Sequence, residues 1–264
     1  MRVGLIGILC ILSACAHQQT QVSEADQSFL ERSFQFERTH RPVVMTSETV
    51  VLDVRSFLDF QLASLPGATH INADEFYLKN MNDANIDDKA SALARRLALM
   101  GVTPFSHVVV LGYGSRGRGE EGRVGLTLLS LGIERVQLAA IDSLKGKLTS
   151  KNKIQKKNQR YWEPRLVRSL YCSAHPRKDT MFVLNVEGPL KTKQKFTQTL
   201  ATVSADWLDF VNRDDFSPNY GIKKKLTQEK IIDSSPVMVR GQYGFLATFN
   251  MIQMGYTQVC WIAE

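Results

Sequence analysis

Apolar runs of strand length alternate with amphipathic segments from residue 43 to the end of the chain. In the first half the runs cover residues 50–54, 108–111 and 136–138, and they lack the polar alternation of a sheet that has one solvated face. Between them, residues 87–100 and 123–131 place apolar side chains at helical spacing, and each segment ends at a glycine. This order predicts an α/β fold with a mostly parallel sheet.

The second half repeats this order more weakly. Strands and helices are predicted, in chain order, at residues 181–186, 227–232, 237–239, 245–252 and 259–262. We therefore predict two α/β modules, each a mostly parallel sheet flanked by helices. Module 1 covers residues 43–142, module 2 covers residues 165–264, and residues 143–164 form a basic linker.

The first fourteen residues have the pattern of an export signal: Arg2, an apolar run over residues 3–12, and small residues before Cys15. Residues 12–15, Leu-Ser-Ala-Cys, resemble the lipobox of bacterial lipoproteins. The resemblance implies cleavage before Cys15, acylation of that residue with palmitate or similar chains, and stable attachment to membrane lipid. A plain secretory signal with a coincidental cysteine is the alternative.

Residues 15–42 are predicted to be the acylated N-terminus and a polar tether. Ala16 stands where inner-membrane lipoproteins usually carry aspartate, so we expect the outer membrane, with the protein facing the periplasm. No stretch of eighteen apolar residues occurs, which excludes a multi-span membrane protein.

Basic residues are concentrated in the second half. Residues 15–140 carry 12 Lys and Arg against 15 Asp and Glu, whereas residues 141–264 carry 20 against 11. The lysine-rich stretch at residues 145–160 lacks the interleaved aromatic side chains of a single-stranded nucleic-acid site. We interpret it as a solvated linker and expect no nucleic-acid partner, while contact with anionic headgroups stays open. No CxxC or HExxH spacing is present, and neither a metal nor a cofactor is expected.

Two segments of module 1 carry a family resemblance. Residues 51–55 (Val-Leu-Asp-Val-Arg), Asp59 and the turn at residues 65–68 (Leu-Pro-Gly-Ala) resemble the opening motif of rhodanese-like domains. Residues 108–133 resemble the family's second motif, and residues 237–256 resemble it again. The resemblance implies the tandem layout of thiosulfate and mercaptopyruvate sulfurtransferases. We also expect Arg55 and Asp59 to form a structural ion pair.

Rhodanese chemistry needs a cysteine thiolate directly after a strand, where it carries sulfur as a persulfide. The matching positions in this sequence are Gly112 in module 1 and Gly241 in module 2. Glycine cannot carry sulfur. We therefore predict that both active-loop positions are degenerate and that neither module has a catalytic residue.

The segment after Gly112 is unusually rich in glycine and arginine. One interpretation is a small-anion site at the start of a helix. It would be lined by Tyr113, Gly114, Ser115, Arg116, Gly117, Arg118 and Arg123. The other interpretation, which we favour, is a flexible loop whose arginine and glutamate residues pair with one another, because Glu120 and Glu121 offset the charge.

Cys172 and Cys260 lie in the predicted first strand (residues 167–173) and last strand of module 2. Because these strands are neighbours in rhodanese-like sheets, the resemblance implies that the two residues could form a disulfide. Two separate buried thiols, or a nucleophile, are the alternatives.

These observations predict a non-catalytic rhodanese-like lipoprotein that binds or scaffolds an envelope protein or a small anion. The alternative is a sulfurtransferase of the thiosulfate or mercaptopyruvate type that uses Cys172 or Cys260 unconventionally. A third reading has the lysine-rich patches bind a membrane surface or nucleic acid.

Overall fold

A computed structural model describes residues 22–78, 81, 83–149, 160–172, 181–187 and 202–262. The strands are β1 (Val50–Asp53), β2 (Thr69–His70), β3 (Val108–Gly112), β4 (Val136–Ala140), β5 (Phe182–Glu187), β6 (Thr202–Asp206), β7 (Val237–Arg240) and β8 (Val259–Trp261). Module 1 contains a parallel sheet with the strand order β2-β1-β3-β4, and module 2 contains a parallel sheet with the order β6-β5-β7-β8. The predicted fold, two α/β modules with parallel sheets, is confirmed.

Six α-helices accompany the sheets in the described part of the chain. They are α1 (Glu24–Thr39), α2 (Phe57–Leu62), α3 (Ile86–Leu99), α4 (Glu120–Ser130), α5 (Gly221–Gln228) and α6 (Gly244–Gln253). Helix α4 begins three residues earlier than predicted, and α5 precedes most of the predicted segment at residues 227–232. None of these helices has the length and apolarity needed to cross a bilayer.

The apolar side chains of β1 and β3 divide between two cores. Val50, Leu52 and their neighbours on one face join a large core that also contains buried residues of module 2. Val51 and Leu111 on the other face join a small core beneath α2, together with Phe60. Both faces of the sheet are covered, which explains why the strands read as uninterrupted apolar runs.

The two modules meet where α4 packs against α6. At Gly122 of α4, a Cβ atom would lie 2.7 Å from Cα and 2.3 Å from Cδ1 of Leu246 on α6. The two helix backbones approach so closely that only a residue without a side chain fits at this position.

We predicted a polar tether over residues 15–42, but residues 24–39 form helix α1. Its buried residues are Phe29, Leu30, Ser33 and Glu37. Ser33 accepts a hydrogen bond from the amide of Gln253 (3.1 Å), at the end of α6, and Glu37 accepts one from the amide of Gln137 (2.9 Å), on β4. Helix α1 therefore packs against both modules. Sequence reasoning missed it because half of its buried face is polar.

The predicted linker at residues 143–164 is also shorter than expected. Its first residues lie in a 3-10 helix (Ile141–Lys147) that buries Leu144 in the small core. At its other end, the indole of Trp162 donates a hydrogen bond to the carbonyl oxygen of Val102 (2.9 Å) and packs against the large core. The lysine-rich centre, residues 150–159, lies outside the described residues, as do the predicted signal peptide and Cys15.

Of the predicted first strand of module 2, at residues 167–173, the structure describes residues 167–172. Residues Arg168–Leu170 form a 3-10 turn, and among the described residues of this segment only Tyr171 pairs with Trp261 of β8, in a parallel bridge. Strand β6 was not predicted, because residues 202–206 (Thr-Val-Ser-Ala-Asp) contain only two apolar side chains, separated by polar ones, and lack an apolar run.

Candidate functional site

The loop that joins β3 to α4 lies at the carboxyl end of the module 1 sheet, where ligands of parallel α/β proteins ordinarily bind. The loop passes from Gly112 through a 3-10 turn (Gly114–Arg116) to Gly119 at the start of α4. Of the seven residues predicted as an anion site, the first six lie in this loop, and Arg123 lies in the first turns of the helix.

A carboxylate occupies the space beside Gly112. A Cβ atom at this position would lie 2.0 Å from Oε1 of Glu121, closer than real Cβ atoms approach any atom. The same Oε1 accepts a hydrogen bond from the backbone N–H of Gly114 (2.8 Å). The place where a side chain of residue 112 would lie is therefore filled by the side chain of Glu121.

Glu121 is completely buried. Burial raises the pKa of its carboxyl group to about 7, against smaller opposing contributions from backbone N–H groups of Glu121 and Gly114. Within the described residues, its second oxygen, Oε2, has no hydrogen-bond partner. Glu121 was predicted only to offset charge in the loop, so its central position was missed; the sequence offers no signal beyond the pair of adjacent glutamates.

At Gly241 a side chain is excluded in a different way. Its φ angle is +100°, and a Cβ atom would lie 2.3 Å from the carbonyl oxygen of Val186 in β5. Because the obstacle is backbone, no movement of a neighbouring side chain would make room. The loop after β7 is closed to any residue with a Cβ atom in this conformation.

The loop arginines are engaged by aspartates outside the loop. Arg116 pairs with Asp142 (2.7 Å) and Arg123 pairs with Asp74, while the guanidinium of Arg123 lies over the rings of Tyr77 and Phe245. The expectation that loop arginines pair with the loop glutamates is thus wrong for these two residues.

Glu120 instead accepts a hydrogen bond from the backbone N–H of Arg118 (2.7 Å). The glutamate therefore fixes the loop backbone rather than neutralising a guanidinium. Ser115 and Gly117 take part in the 3-10 turn and its C-cap.

The predicted ion pair between Arg55 and Asp59 is also wrong. Arg55 pairs instead with Asp53 (2.7 Å), and both side chains are buried. Asp59 accepts hydrogen bonds from the hydroxyl groups of Ser56 and Tyr113. Both hydrogen bonds lower the pKa of its carboxyl group, and the one from Ser56 has the larger effect. Tyr113 of the candidate loop therefore belongs to a structural contact with α2.

Cys172 and Cys260 are joined by a disulfide, with their Cα atoms 5.1 Å apart. The backbone N–H of Cys172 also donates to the carbonyl oxygen of Trp261 (2.9 Å), which holds the segment beside β8. The two cysteines meet although the described residues 167–172 of the predicted first strand form only one bridge with β8. In the described part of the chain, no group of three His, Cys, Asp or Glu residues could hold a metal ion.

Solved structures share this architecture across most of the chain. The 3-mercaptopyruvate sulfotransferase SseA from Escherichia coli matches with a TM-score of 0.64 and 10% identity, over 88% of this chain and 96% of that one. Each module has the rhodanese fold. A probable thiosulfate sulfurtransferase is also similar, with a TM-score of 0.59 and 17% identity, over 84% of this chain and 94% of the other.

The wild-type structure of EanB is similar over 84% of this chain but only 61% of its own, with a TM-score of 0.60 and 14% identity. A scan of protein-family models finds no match. A search of curated proteins finds none either. The similarity to the rhodanese structures is thus one of fold, and function has to be argued from the loops themselves.

Proposed function

We propose that this protein is a non-catalytic, tandem rhodanese-like lipoprotein that binds a protein partner in the bacterial envelope. The observation that carries the proposal is the carboxylate of Glu121 in the space that a residue 112 side chain would need. Sulfur transfer by the rhodanese route needs a nucleophilic thiolate at that place, held by backbone N–H groups. In module 1 a side chain of the protein itself takes the Gly114 N–H, and in module 2 the Val186 carbonyl blocks Gly241.

The cysteines of the described chain support the same conclusion. Cys172 and Cys260 are bonded to each other, so neither sulfur is a thiolate in the oxidised protein. Cys172 is also buried, and reactive cysteines lie in partly exposed, electropositive places. A sulfurtransferase that uses either residue would first need a reductant.

A protein partner is favoured over a small anion because of the arginine contacts. Arg116 and Arg123, two of the three guanidinium groups that would bind an anion, are paired with Asp142 and Asp74. An anion would have to displace these carboxylates or accept their repulsion. A partner protein can bind the surface of the loop without displacing these carboxylates.

Attachment to the envelope rests on the lipobox-like sequence before Cys15. We expect wild-type protein to incorporate labelled palmitate and to fractionate with the outer membrane. Cys15→Ala should abolish the label and release the protein into the soluble fraction, since one residue carries all the acyl chains. Unchanged fractionation and labelling of Cys15→Ala would exclude the lipid anchor.

The absence of catalysis is tested by sulfur transfer from thiosulfate to cyanide, and from 3-mercaptopyruvate to a thiol, with the full-length protein. We expect no turnover above the background of heat-denatured protein, with or without prior reduction. The alternative, a sulfurtransferase that uses Cys172 or Cys260, predicts turnover that appears on reduction and is abolished by Cys172→Ser or by Cys260→Ser. A persulfide on either cysteine, detected by mass spectrometry after incubation with thiosulfate, would overturn the proposal.

A further inference from the structure

Glu121 is an acidic side chain buried beside the loop that joins β3 to α4, which we call the β3–α4 loop (residues 113–118). Its exposed fraction is zero, and its Oε1 accepts a hydrogen bond from the N–H of Gly114 (2.8 Å). Its Oε2 has no hydrogen-bond partner within the part of the chain that the structure describes. Burying an incompletely hydrogen-bonded carboxylate costs far more free energy than burying a neutral carboxyl group. The position of Glu121 therefore favours its protonated form.

The charges that act most strongly on Glu121 are also negative. After the larger effect of burial, Glu120 on the same helix and Asp53 at the end of β1 both raise the pKa of its carboxyl group. The guanidinium of Arg55 is already engaged, because it forms a buried ion pair with Asp53 (2.7 Å). The N–H groups of Glu121 itself and of Gly114 oppose these effects, and the resulting pKa is about 7.

Two of the three segments around Glu121 are fixed. Strand β3 lies inside its sheet, where it pairs with both β1 and β4. Helix α4 is held through Gly122, the residue after Glu121, where a Cβ atom would lie 2.7 Å from Cα of Leu246 on α6. A helix packed this closely has no room to turn and carry a side chain to solvent. The β3–α4 loop is therefore the segment that can move away from the carboxyl group.

The side-chain contacts that hold this loop do not titrate together with Glu121. Arg116 pairs with Asp142 (2.7 Å), and Tyr113 donates a hydrogen bond to Asp59. A hydrogen bond from Lys145 lowers the pKa of Asp142, and the hydrogen bonds described above lower that of Asp59. Both aspartates therefore stay ionised above pH 4.5. The ion pair of Arg116 is exposed, so it adds little to the stability of the closed loop.

We propose that the β3–α4 loop is a pH-sensitive lid over Glu121. While the carboxyl group is neutral, the lid stays closed, with Gly114 buried against Ala140 and its N–H donated to Glu121. Ionisation releases the proton to water, and the loop moves away so that water reaches the carboxylate. The lid thus opens as the pH rises and closes as it falls. It needs no partner protein, so its test is independent of the proposed function.

Hydrogen exchange of the Gly114 amide measures the opening of the lid, because this amide is protected by its bond to Glu121. The carboxyl group has a pKa of about 7 in the closed form and about 4.5 when exposed. The opening constant should therefore rise about tenfold per pH unit, and about 300-fold in total between pH 4.5 and pH 7, after correction for the intrinsic exchange rate.

The amide of Val110, in the middle of β3, is the internal control for complete unfolding. We expect Gly114 to exchange much faster than Val110. Low concentrations of urea should accelerate the exchange of Val110 and leave that of Gly114 nearly unchanged, because opening the lid exposes little surface.

Glu121→Gln keeps the shape of the side chain but cannot ionise, so the opening constant at Gly114 should no longer depend on pH. Glu120→Gln is the matched control, since it makes the same change one residue earlier and should keep the rise. If Glu121→Gln does not fold, the comparison of Gly114 with Val110 in the wild-type protein decides the question.

Exchange of Gly114 at the rate of Val110, with the same dependence on urea, would show that water reaches Glu121 only on unfolding and would overturn the lid. An opening constant that does not change with pH in the wild-type protein would contradict it as well. The same holds for a rise that is equal in wild type and Glu121→Gln, because another group would then be the one that titrates.

Discussion

Glu121 is a carboxylic acid enclosed in the centre of module 1, and its titration is coupled to folding. Its pKa is about 7 in the folded protein, against about 4.5 when exposed. Between pH 4.5 and pH 7 the folded state therefore holds a proton that the unfolded state has lost. A raised pKa contributes stability at low pH that is lost as the pH rises through 7. The difference of about 2.5 units corresponds to about 3 kcal/mol.

We therefore expect Glu121→Gln, which keeps the shape of the side chain but cannot ionise, to gain stability over wild type as the pH rises. The difference between their free energies of unfolding should grow between pH 4.5 and pH 7.5 and reach about 3 kcal/mol. Urea denaturation over this pH range measures it. Glu120→Gln is the control, because Glu120 is only partly buried. Parallel curves for wild type and Glu121→Gln would contradict the buried titration.

The two glycines at the degenerate positions should respond differently to the same change. Gly112→Ala collides with the Glu121 side chain and is expected to cost about 1–3 kcal/mol. Adding Glu121→Ala should recover much of that loss, so the two substitutions are non-additive. Gly241→Ala collides with backbone and demands a left-handed conformation, so it should cost more and gain nothing from Glu121→Ala. Additive effects at positions 112 and 121 would contradict the contact between them.

At the scale of the element, the contact of α4 with α6 decides how the modules are joined. Gly122→Ala places a Cβ atom against the backbone of Leu246, and the helices must move apart to accept it. We expect a loss of about 1–3 kcal/mol in the free energy of unfolding. Gly146→Ala is the matched control, because nothing lies within 4 Å of its Cβ position; its effect should stay within about 0.5 kcal/mol. Equal effects of the two substitutions would show that α4 and α6 do not pack closely.

Elements with a strong apolar pattern could be predicted from sequence, and elements held by polar contacts could not. The runs at residues 50–54 and 108–111 specified β1 and β3 because both faces of the sheet are buried. Helix α1 was missed because Ser33 and Glu37 point into the protein and are satisfied by Gln253 and Gln137, partners that lie far away in sequence.

The positions of the candidate site could be predicted from the sequence, but the group that fills it could not. The spacing after each strand located Gly112 and Gly241, since the end of an apolar run marks the loop. Which group fills the space beside Gly112 depends on the rotamer of Glu121, nine residues later, and no local pattern encodes it.

At the scale of the molecule, the disulfide closes module 2 on itself. Cys172 and Cys260 are 88 residues apart, and linking them removes chain entropy worth about 4–5 kcal/mol from the unfolded state. We expect Cys172→Ser with Cys260→Ser to lose up to this amount in thermal or urea denaturation, and wild type to lose the same on reduction. A stability that is unaffected by reductant would show that the bond does not form in the native protein.

The contact between Ser33 and Gln253 joins residues that are 220 positions apart. Helix α1 is made early in synthesis, yet the partner of Ser33 arrives only with the end of α6, when nearly the whole chain is complete. Early docking of α1 on α6 is therefore disfavoured by the order in which the segments are made. Closing so large a loop costs conformational entropy before the contacts that offset this cost can form. In the exported lipoprotein that we propose, this delay would leave the precursor more time for translocation.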